Sequence, residues 1–357
     1  MKIRNFLKYY PKLGLAFLAY TKTQIIGNRS KDMESKTKNR KSRDQIAQMV
    51  EKAFGKPILA AGDDAISELK EGWFNAAYIL RLTDGREVVL KIAPPKDAEV
   101  MTYEKNIMIT EVESMQLVSE NPSIPVPQIY FFDTDRDICD SYYFFMEKLV
   151  GENYDHVKKS LDKNIRVQID QEIGGIIQEI NNYTGTYFGY DGNSQLRAET
   201  WKEAFIKICD SVLNDAQRKN ADLFFPIEEI RNVIHKHAPA LDAVTIPKLV
   251  HWDAWDLNFF TKDGKVSGIL DFERALWADP LMEAQFRYLD FEGVTDCMRG
   301  YGKTTFTFEE EQRNHLYTLH LALIMKTECY YRNYGTDEVS NLSKMLMIPA
   351  MVWLMEN

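Results

Sequence analysis

Three oxygen-bearing side chains follow one another between residues 249 and 280 at a spacing that suits phosphoryl transfer. Asp253 lies five residues before Asn258, and Asp271 ends an apolar run thirteen residues after Asn258. The sequence Lys262-Asp263-Gly264-Lys265 predicts a hairpin turn that folds Asn258 and Asp271 toward each other. Amide and carboxylate oxygens are ligands for a hard cation, so the pair suits magnesium. We expect Asp253, on the preceding loop, to orient an acceptor hydroxyl and take its proton.

This segment resembles the catalytic loop and metal-binding aspartate of the kinase fold, and in detail it is similar to the aminoglycoside phosphotransferase and choline kinase group. That group carries His-x-Asp-x-x-x-x-Asn, then an aspartate after a hydrophobic triplet, then Asp-Pro. The matching residues here are His251, Asp253, Asn258, Asp271 after Gly268-Ile269-Leu270, and Asp279-Pro280. The resemblance implies a bilobal protein-kinase-like fold of the α+β class, with a small antiparallel-sheet N-lobe and a larger, mostly helical C-lobe.

Two residues of the loop depart from the group's pattern. Trp252 stands where the group often has glycine, and Leu257 occupies the usual glycine position before the asparagine. The ligand set is unchanged by either departure. They are the basis for one alternative, in which the loop is distorted and the protein binds nucleotide without catalysis.

A kinase also needs a lysine for the α- and β-phosphates and a helix glutamate that holds this lysine. Lys91 lies inside the strand-like run VVLKIA, and Glu113 follows 22 residues later in a long helical stretch. The resemblance assigns the two roles to Lys91 and Glu113.

The resemblance also implies a nucleotide pocket. Gly72-Trp73-Phe74-Asn75 stands where the group has a short Gly-x-x-Asn turn over the phosphates, which makes Gly72 and Asn75 candidate contacts. The segment 145–149 leads straight into Gly151 and lies at the expected interlobe hinge. There the adenine would pair with main-chain groups of Glu147 and Leu149.

The elements that must position these residues follow from local patterns. The runs ILRL and EVVLKIA flank Asp84-Gly85, which is a strong hairpin signal. A helix is predicted from about residue 99 to 118, and two further strands at 128–132 and 142–146. Strand, strand, helix, strand, strand is an α+β arrangement. Beyond Gly151 the pattern is mostly helical, with one strand-like insert at 248–270.

We divide the chain into an extension and tether (1–43), a nucleotide-binding N-lobe (44–150) and a helical C-lobe with the catalytic loop and acceptor site (151–357). Residues 27–43 carry many charges and almost no large apolar residue, which predicts a flexible tether. The folded body is predicted to begin with a helix through Ile46, Met49 and Val50, capped by Ser42 or Asp44 and ended by Gly55.

Composition excludes several function classes. The formal net charge of −9 and the pI near 5.4 oppose general nucleic-acid binding. The four cysteines form no C-x-x-C pair, which fits a reducing cytoplasm. The chain shows no apolar run long enough for a transmembrane helix. For the basic N-terminus we favour a loose extension, with weak membrane-surface contact as the alternative.

The sequence therefore predicts an ATP- and Mg²⁺-dependent phosphotransferase that acts on a small-molecule hydroxyl, with GTP as an alternative nucleotide. Acidic residues near the loop, namely Asp256, Glu273 and Glu283, would favour a cationic acceptor such as an amino sugar or a choline-like amine. The alternative is a catalytically silent, nucleotide-binding regulatory module. A protein kinase is disfavoured because Asp-Phe-Glu replaces Asp-Phe-Gly and no Ala-Pro-Glu follows.

Overall fold

The computed structural model describes residues 37–55, 65–70, 72, 74–287, 293–332 and 334–357. The predicted basic extension and most of the predicted tether, residues 1–36, lie outside the described residues. In the part of the chain that the structure describes, no helix is long and apolar enough to cross a bilayer.

The N-lobe is built on a five-stranded antiparallel sheet of order β1-β2-β3-β5-β4. Its strands are β1 (Ile66–Leu69), β2 (Ala76–Arg81), β3 (Glu87–Ile92), β4 (Ile129–Asp133) and β5 (Tyr143–Glu147). The predicted hairpin is confirmed: β2 pairs with β3, and Gly85 takes a φ of +86° in the turn that joins them. Left-handed backbone is accessible to glycine without a Cβ clash. The register places Lys91 opposite Ala77 and Phe144, in the middle of the sheet.

Helix α1 (Arg43–Phe54) begins and ends where its capping signals indicate. Ser42 accepts a hydrogen bond from the Gln45 amide, and Gly55 ends the helix at a φ of +63°. Ile46, Met49 and Val50 bury the apolar face of α1 against the sheet.

The tether prediction is wrong for residues 37–42, which are bound to the N-lobe. Asn39 is buried, and its side-chain amide donates to the Ala93 carbonyl and the Ser141 hydroxyl at 3.2 and 2.8 Å. Lys41 forms an ion pair with Asp140 at 2.8 Å. Hydrogen bonds to distant residues, rather than apolar burial, order this segment, and composition cannot report such contacts.

Helix α2 (Ile107–Val118) starts later than the predicted residue 99. Residues Thr102–Glu104 form a separate 3₁₀ turn, and Asn106 at a φ of +58° interrupts the helical path. The Thr102 amide and hydroxyl both donate to the buried carboxylate of Asp215, at 2.6 and 2.7 Å. This tertiary contact fixes the turn and shortens the helix.

The C-lobe is mostly helical, as predicted, with short strands around the catalytic segment. Its helices are α3 (Tyr154–Val157), α4 (Lys163–Ile180), α5 (Trp201–Arg218), α6 (Ile227–His237), α7 (Asp296–Tyr301), α8 (Phe308–Arg332) and α9 (Glu338–Glu356). Its strands are β6 (Glu152–Asn153), β7 (Lys248–Val250), β8 (Phe259–Lys262), β9 (Lys265–Ile269) and β10 (Leu276–Ala278). The single predicted insert is thus several strands: β8 pairs with β6 and β9, and β7 pairs with β10.

Candidate active site

Lys91 lies at the centre of a buried group of carboxyls. Its Nζ contacts Glu111 Oε1 at 2.7 Å, Asp271 Oδ1 at 2.6 Å and Glu273 Oε2 at 3.5 Å. Burial alone would lower the pKa of Lys91, but the negative charges of these three residues outweigh it and hold the pKa well above its ordinary value. The ammonium therefore stays charged and joins β3 to α2 and to the segment after β9.

The glutamate that pairs with Lys91 is Glu111, and the prediction of Glu113 is wrong. Glu111 is buried and both its carboxylate oxygens accept from Lys91, whereas Glu113 is exposed. Residues two apart on a helix point about 200° apart, so only one of the two glutamates can face the sheet. The sequence placed the partner on the correct helix but on the wrong face.

The acidic groups outnumber the one ammonium. Oxygen atoms of Glu111, Asp271 and Glu273 all lie within 4.8 Å of one another. Burial, together with the charge of Asp271, raises the pKa of Glu111 to about 7 and that of Glu273 to about 8. Burial also opposes ionisation of Asp271, but the attraction of Lys91 keeps its pKa below the ordinary value. Three carboxyl oxygens this close together suit a hard divalent cation, whose charge would favour their ionised forms.

The hairpin of β8 and β9 brings Asn258 beside Asp271, as its turn sequence predicts. The Leu270 amide donates to the Asn258 carbonyl at 2.9 Å, so Asp271 follows directly from a residue bonded to Asn258. The Asn258 side-chain amide donates to the Asp253 carbonyl at 2.7 Å. Hydrogen bonds of Asn258 thus link the main chain at Asp253 to Leu270, and the next residue, Asp271, pairs with Lys91.

The loop that carries Asp253 has an unusual backbone at Trp252, whose φ is +67°. A non-glycine residue in the left-handed region costs about 1–3 kcal/mol. Glu283 supports this conformation: its carboxylate accepts from the His251 amide at 2.9 Å and the Trp252 amide at 3.1 Å. Asn181 donates to the same carboxylate at 2.8 Å. The loop conformation is therefore compatible with tryptophan at the position where the group often has glycine.

His251 has a structural role in the described site. Its Nε2 donates to the Leu270 carbonyl at 2.9 Å, and its ring packs on Phe272 with centroids 4.3 Å apart. Burial lowers the pKa of His251 to about 4, so the ring is neutral near pH 7. This contact ties the Asp253 loop to the Asp271 strand end.

The Asp253 carboxyl is partly buried, which raises its pKa, while the Arg274 guanidinium opposes that shift. Arg274 Nε lies 3.9 Å from Asp253 Oδ2.

Sequence reasoning overlooked Arg274 as it did Glu111. It also considered Glu273 only as an acceptor contact. The signal available in the sequence was proximity: Glu273 and Arg274 follow Asp271 within three residues, in the 3₁₀ turn Phe272–Arg274.

The predicted phosphate turn and hinge adjoin this centre. Gly72 is exposed, and the side-chain amide of Asn75 donates to Glu273 Oε2 at 2.7 Å. The Glu147 amide donates to the Gln128 carbonyl at 2.8 Å. A Cβ on Gly268 would lie 2.3 Å from a methyl carbon of Leu149, so the hinge packs closely on the hairpin that carries Asn258.

Two of the acidic residues suggested for a cationic acceptor are otherwise engaged. Glu283 is fully buried under the Asp253 loop, which excludes it from an acceptor pocket. Asp256 Oδ2 accepts from Lys158 Nζ at 2.8 Å. Glu273 is buried and lies 3.5 Å from Lys91.

The sequence profile of the phosphotransferase enzyme family matches residues 65–292, well over half of the chain. The chain belongs to this family. The family match confirms the predicted resemblance.

A curated relative gives a shorter match. A subtelomeric hrmA-associated cluster protein of Aspergillus fumigatus is 30% identical over 109 residues, which are 29% of this chain. The match spans about a fifth of the relative's own length, 21%.

Solved structures show the same fold at low identity. A putative fructosamine-3-kinase from Thermobifida fusca has a TM-score of 0.63 at 16% identity, over 88% of this chain and 100% of that chain. A thermostable mutant of aminoglycoside phosphotransferase APH(4)-Ia, in complex with ADP and hygromycin B, has a TM-score of 0.61 at 15% identity, over 86% and 98%. The protein-kinase-like fold predicted from the sequence is confirmed.

The Lys91–Glu111 pair can be tested against its neighbour on the same helix. Replacing Glu111 by Gln removes a charge-assisted contact and should lower the rate of ATP-dependent phosphoryl transfer roughly 10- to 100-fold. Glu113→Gln is the matched control and should behave like the wild type. Steady-state kinetics of both variants decide the assignment; a loss in Glu113→Gln with normal activity in Glu111→Gln would reverse it.

The buried Glu283 carboxyl should make stability depend on pH. Burial raises its pKa from 4.5 to about 7, so the folded state binds a proton that the unfolded state releases between these values. The free energy of unfolding should therefore fall as the pH rises from about 4.5 to about 7. Glu283→Gln has no titratable group at this position and lacks this pH-dependent contribution. The stability of the wild type relative to this variant should decline over that interval in denaturant titrations, and a constant difference would contradict the account.

Proposed function

We propose that this protein transfers the γ-phosphoryl group of ATP, with magnesium, to a hydroxyl of a small molecule. The observation that carries the proposal is a connected set of residues: Asn258 bonds to the Asp253 carbonyl and to the amide of Leu270, and Asp271, which follows Leu270, pairs with Lys91. Base, metal ligands and phosphate-binding lysine are the parts that phosphoryl transfer requires. Their arrangement in one cleft, in a member of a phosphotransferase family, supports the assignment.

The residues present fit a magnesium ion. Asp271 and Glu273 offer carboxylate oxygens, Asn258 offers its Oδ1 because its nitrogen donates to Asp253, and the surplus negative charge around Lys91 favours a cation. Bound magnesium supplies charge neutralisation for the β- and γ-phosphates. Lys91, held by Glu111, binds the α- and β-phosphates.

In the proposed reaction the acceptor oxygen forms a bond to the γ-phosphorus while the bond from that phosphorus to the β–γ bridging oxygen breaks. ADP leaves with the bridging oxygen. The Asp253 carboxylate orients the acceptor hydroxyl and receives its proton. Burial of Asp253 raises its pKa, which makes this carboxylate a stronger base than an exposed one.

The nucleotide site and acceptor site are assigned to the two predicted regions, 44–150 and 151–357. We place the adenine at the main chain of Glu147 and Leu149 and the phosphates under Gly72 and Asn75. ATP as the nucleotide is supported by the ADP complex of the APH(4)-Ia mutant and by a complex of APH(2")-IIa with ATP and streptomycin. GTP remains the alternative nucleotide.

The acceptor class is open to a direct screen. Aminoglycosides are bound by these two structural neighbours, which supports testing amino sugars first. The contacts of Glu283 and Asp256 remove two reasons for a cationic acceptor, so neutral sugars and polyols belong in the same panel.

The function is tested by ADP release from MgATP in the presence of pooled metabolites and aminoglycosides. Wild-type protein should release ADP with at least one pool. Asp253→Asn should reduce that rate roughly 10²- to 10⁴-fold and retain nucleotide binding.

Asp263→Asn is the matched control, because Asp263 is exposed in the turn of the same hairpin, at a φ of +52° that asparagine also tolerates. It should keep full activity. Nucleotide binding without ADP release by the wild type in any pool would favour the catalytically silent module instead.

A further inference from the structure

A second cluster of ion pairs lies next to the candidate base, Asp253. Its members are Arg274, Glu328, Arg332 and Glu104. Arg274 ends the 3₁₀ turn Phe272–Arg274 that follows Asp271, and its side chain is only 11% exposed. Its Nη2 donates to Glu328 Oε1 at 2.7 Å, and its Nε lies 3.9 Å from Asp253 Oδ2. One nitrogen of the guanidinium thus binds the Glu328 carboxylate, and a different nitrogen faces the carboxylate of Asp253, the candidate base.

The position of Arg274 is fixed from several directions. Its guanidinium lies over the Trp252 ring at 5.2 Å and near the Tyr103 ring at 5.9 Å. Glu328, on α8, is itself held by the hydroxyls of Tyr103 and Tyr334 at 2.8 and 3.1 Å. A planar guanidinium held at its edge and its face has little freedom to rotate.

The other guanidinium of the cluster, that of Arg332, shares Glu328 with Arg274 but has its own partner in Glu104. Arg332 pairs with Glu104 and lies 3.5 Å from Glu328 Oε1. Among the described residues, Arg274 is the salt-bridge partner of Asp253. The Asp253 main chain is held by Asn258 and His251, whereas its carboxylate faces Arg274 at 3.9 Å and also receives a hydrogen bond from the Trp255 side chain.

We propose that Arg274 is a positioning residue: anchored on Glu328, its guanidinium holds the Asp253 carboxylate in the orientation that receives the acceptor proton. The proposal rests on the proposed function of Asp253 as the base. It extends that function to a residue of α8, since Glu328 then acts on the reaction through Arg274. Functional side chains need such support because a misplaced base loses much of its effect.

The competing account is purely structural: the Arg274–Glu328 pair would join α8 to the loop without affecting Asp253. Both accounts predict a loss of stability when the buried pair is broken. Only the positioning account predicts that Asp253 moves, and that kcat falls while nucleotide affinity is retained.

The test uses the full chain as wild type and as Arg274→Lys, Arg274→Gln and Glu328→Gln. Arg313→Gln is the matched control, because Arg313 forms a comparably buried pair with Asp279 at 2.8 Å, away from Asp253. Crystal structures with Mg²⁺ and AMP-PNP report the Asp253 side chain, and cleavage of MgATP with water as acceptor reports kcat and KM.

The Asp253 carboxylate should take a new position in Arg274→Gln and keep its position in Arg274→Lys and Arg313→Gln. Where ATP cleavage is measurable, Arg274→Gln should lower kcat roughly 10- to 100-fold with little change in KM for ATP. Arg274→Lys should recover part of the loss, and Glu328→Gln should fall between the two. Arg313→Gln should lower the unfolding temperature and leave both the Asp253 position and kcat unchanged.

An unmoved Asp253 in Arg274→Gln would overturn the proposal, as would a kcat loss of equal size in Arg313→Gln. A wild type that cleaves no ATP with any acceptor would overturn the proposed function. The position of Asp253 in the crystals would still decide whether Arg274 holds it.

Discussion

One ammonium group among three carboxyls is the interaction on which the arrangement of this protein depends. The Lys91 side chain is only 13% exposed, and a charge so largely buried is tolerated only where opposite charges and hydrogen bonds surround it. Glu111 supplies them from α2, and Asp271 and Glu273 supply them from the segment after β9. The sheet, the helix and the hairpin of the C-lobe are thereby held together at Lys91.

Local patterns predicted the elements that carry these residues, because turns and caps are short-range effects. The Asp84-Gly85 and Asp263-Gly264 turns, and the Ser42 and Gly55 caps of α1, follow from backbone preferences of a few neighbouring residues. Glu113 was a wrong choice for a different reason. Tertiary contacts of Thr102 and the backbone of Asn106 set where α2 begins, and so which of its faces meets the sheet.

The rest of the site depends on contacts between residues far apart in the chain. Glu283 supports the left-handed Trp252 from 31 residues away, and Glu328 holds Arg274 across 54 residues. Residues 37–42 resemble a tether in composition, yet Asn39 bonds to Ser141 across 102 residues. None of these pairs leaves a periodic or compositional signal, whereas the predicted ligands Asn258 and Asp271 do, because a single hairpin joins them.

The most direct test of the central claim is a calorimetric titration of ADP into the wild type and Asp271→Asn, with Mg²⁺ and with EDTA. If the carboxyls around Lys91 form a metal-assisted nucleotide site, Mg²⁺ should tighten ADP binding to the wild type by roughly tenfold or more, and much less in Asp271→Asn. Equal affinity of the wild type with and without Mg²⁺, or an equal effect of Mg²⁺ in both proteins, would contradict it.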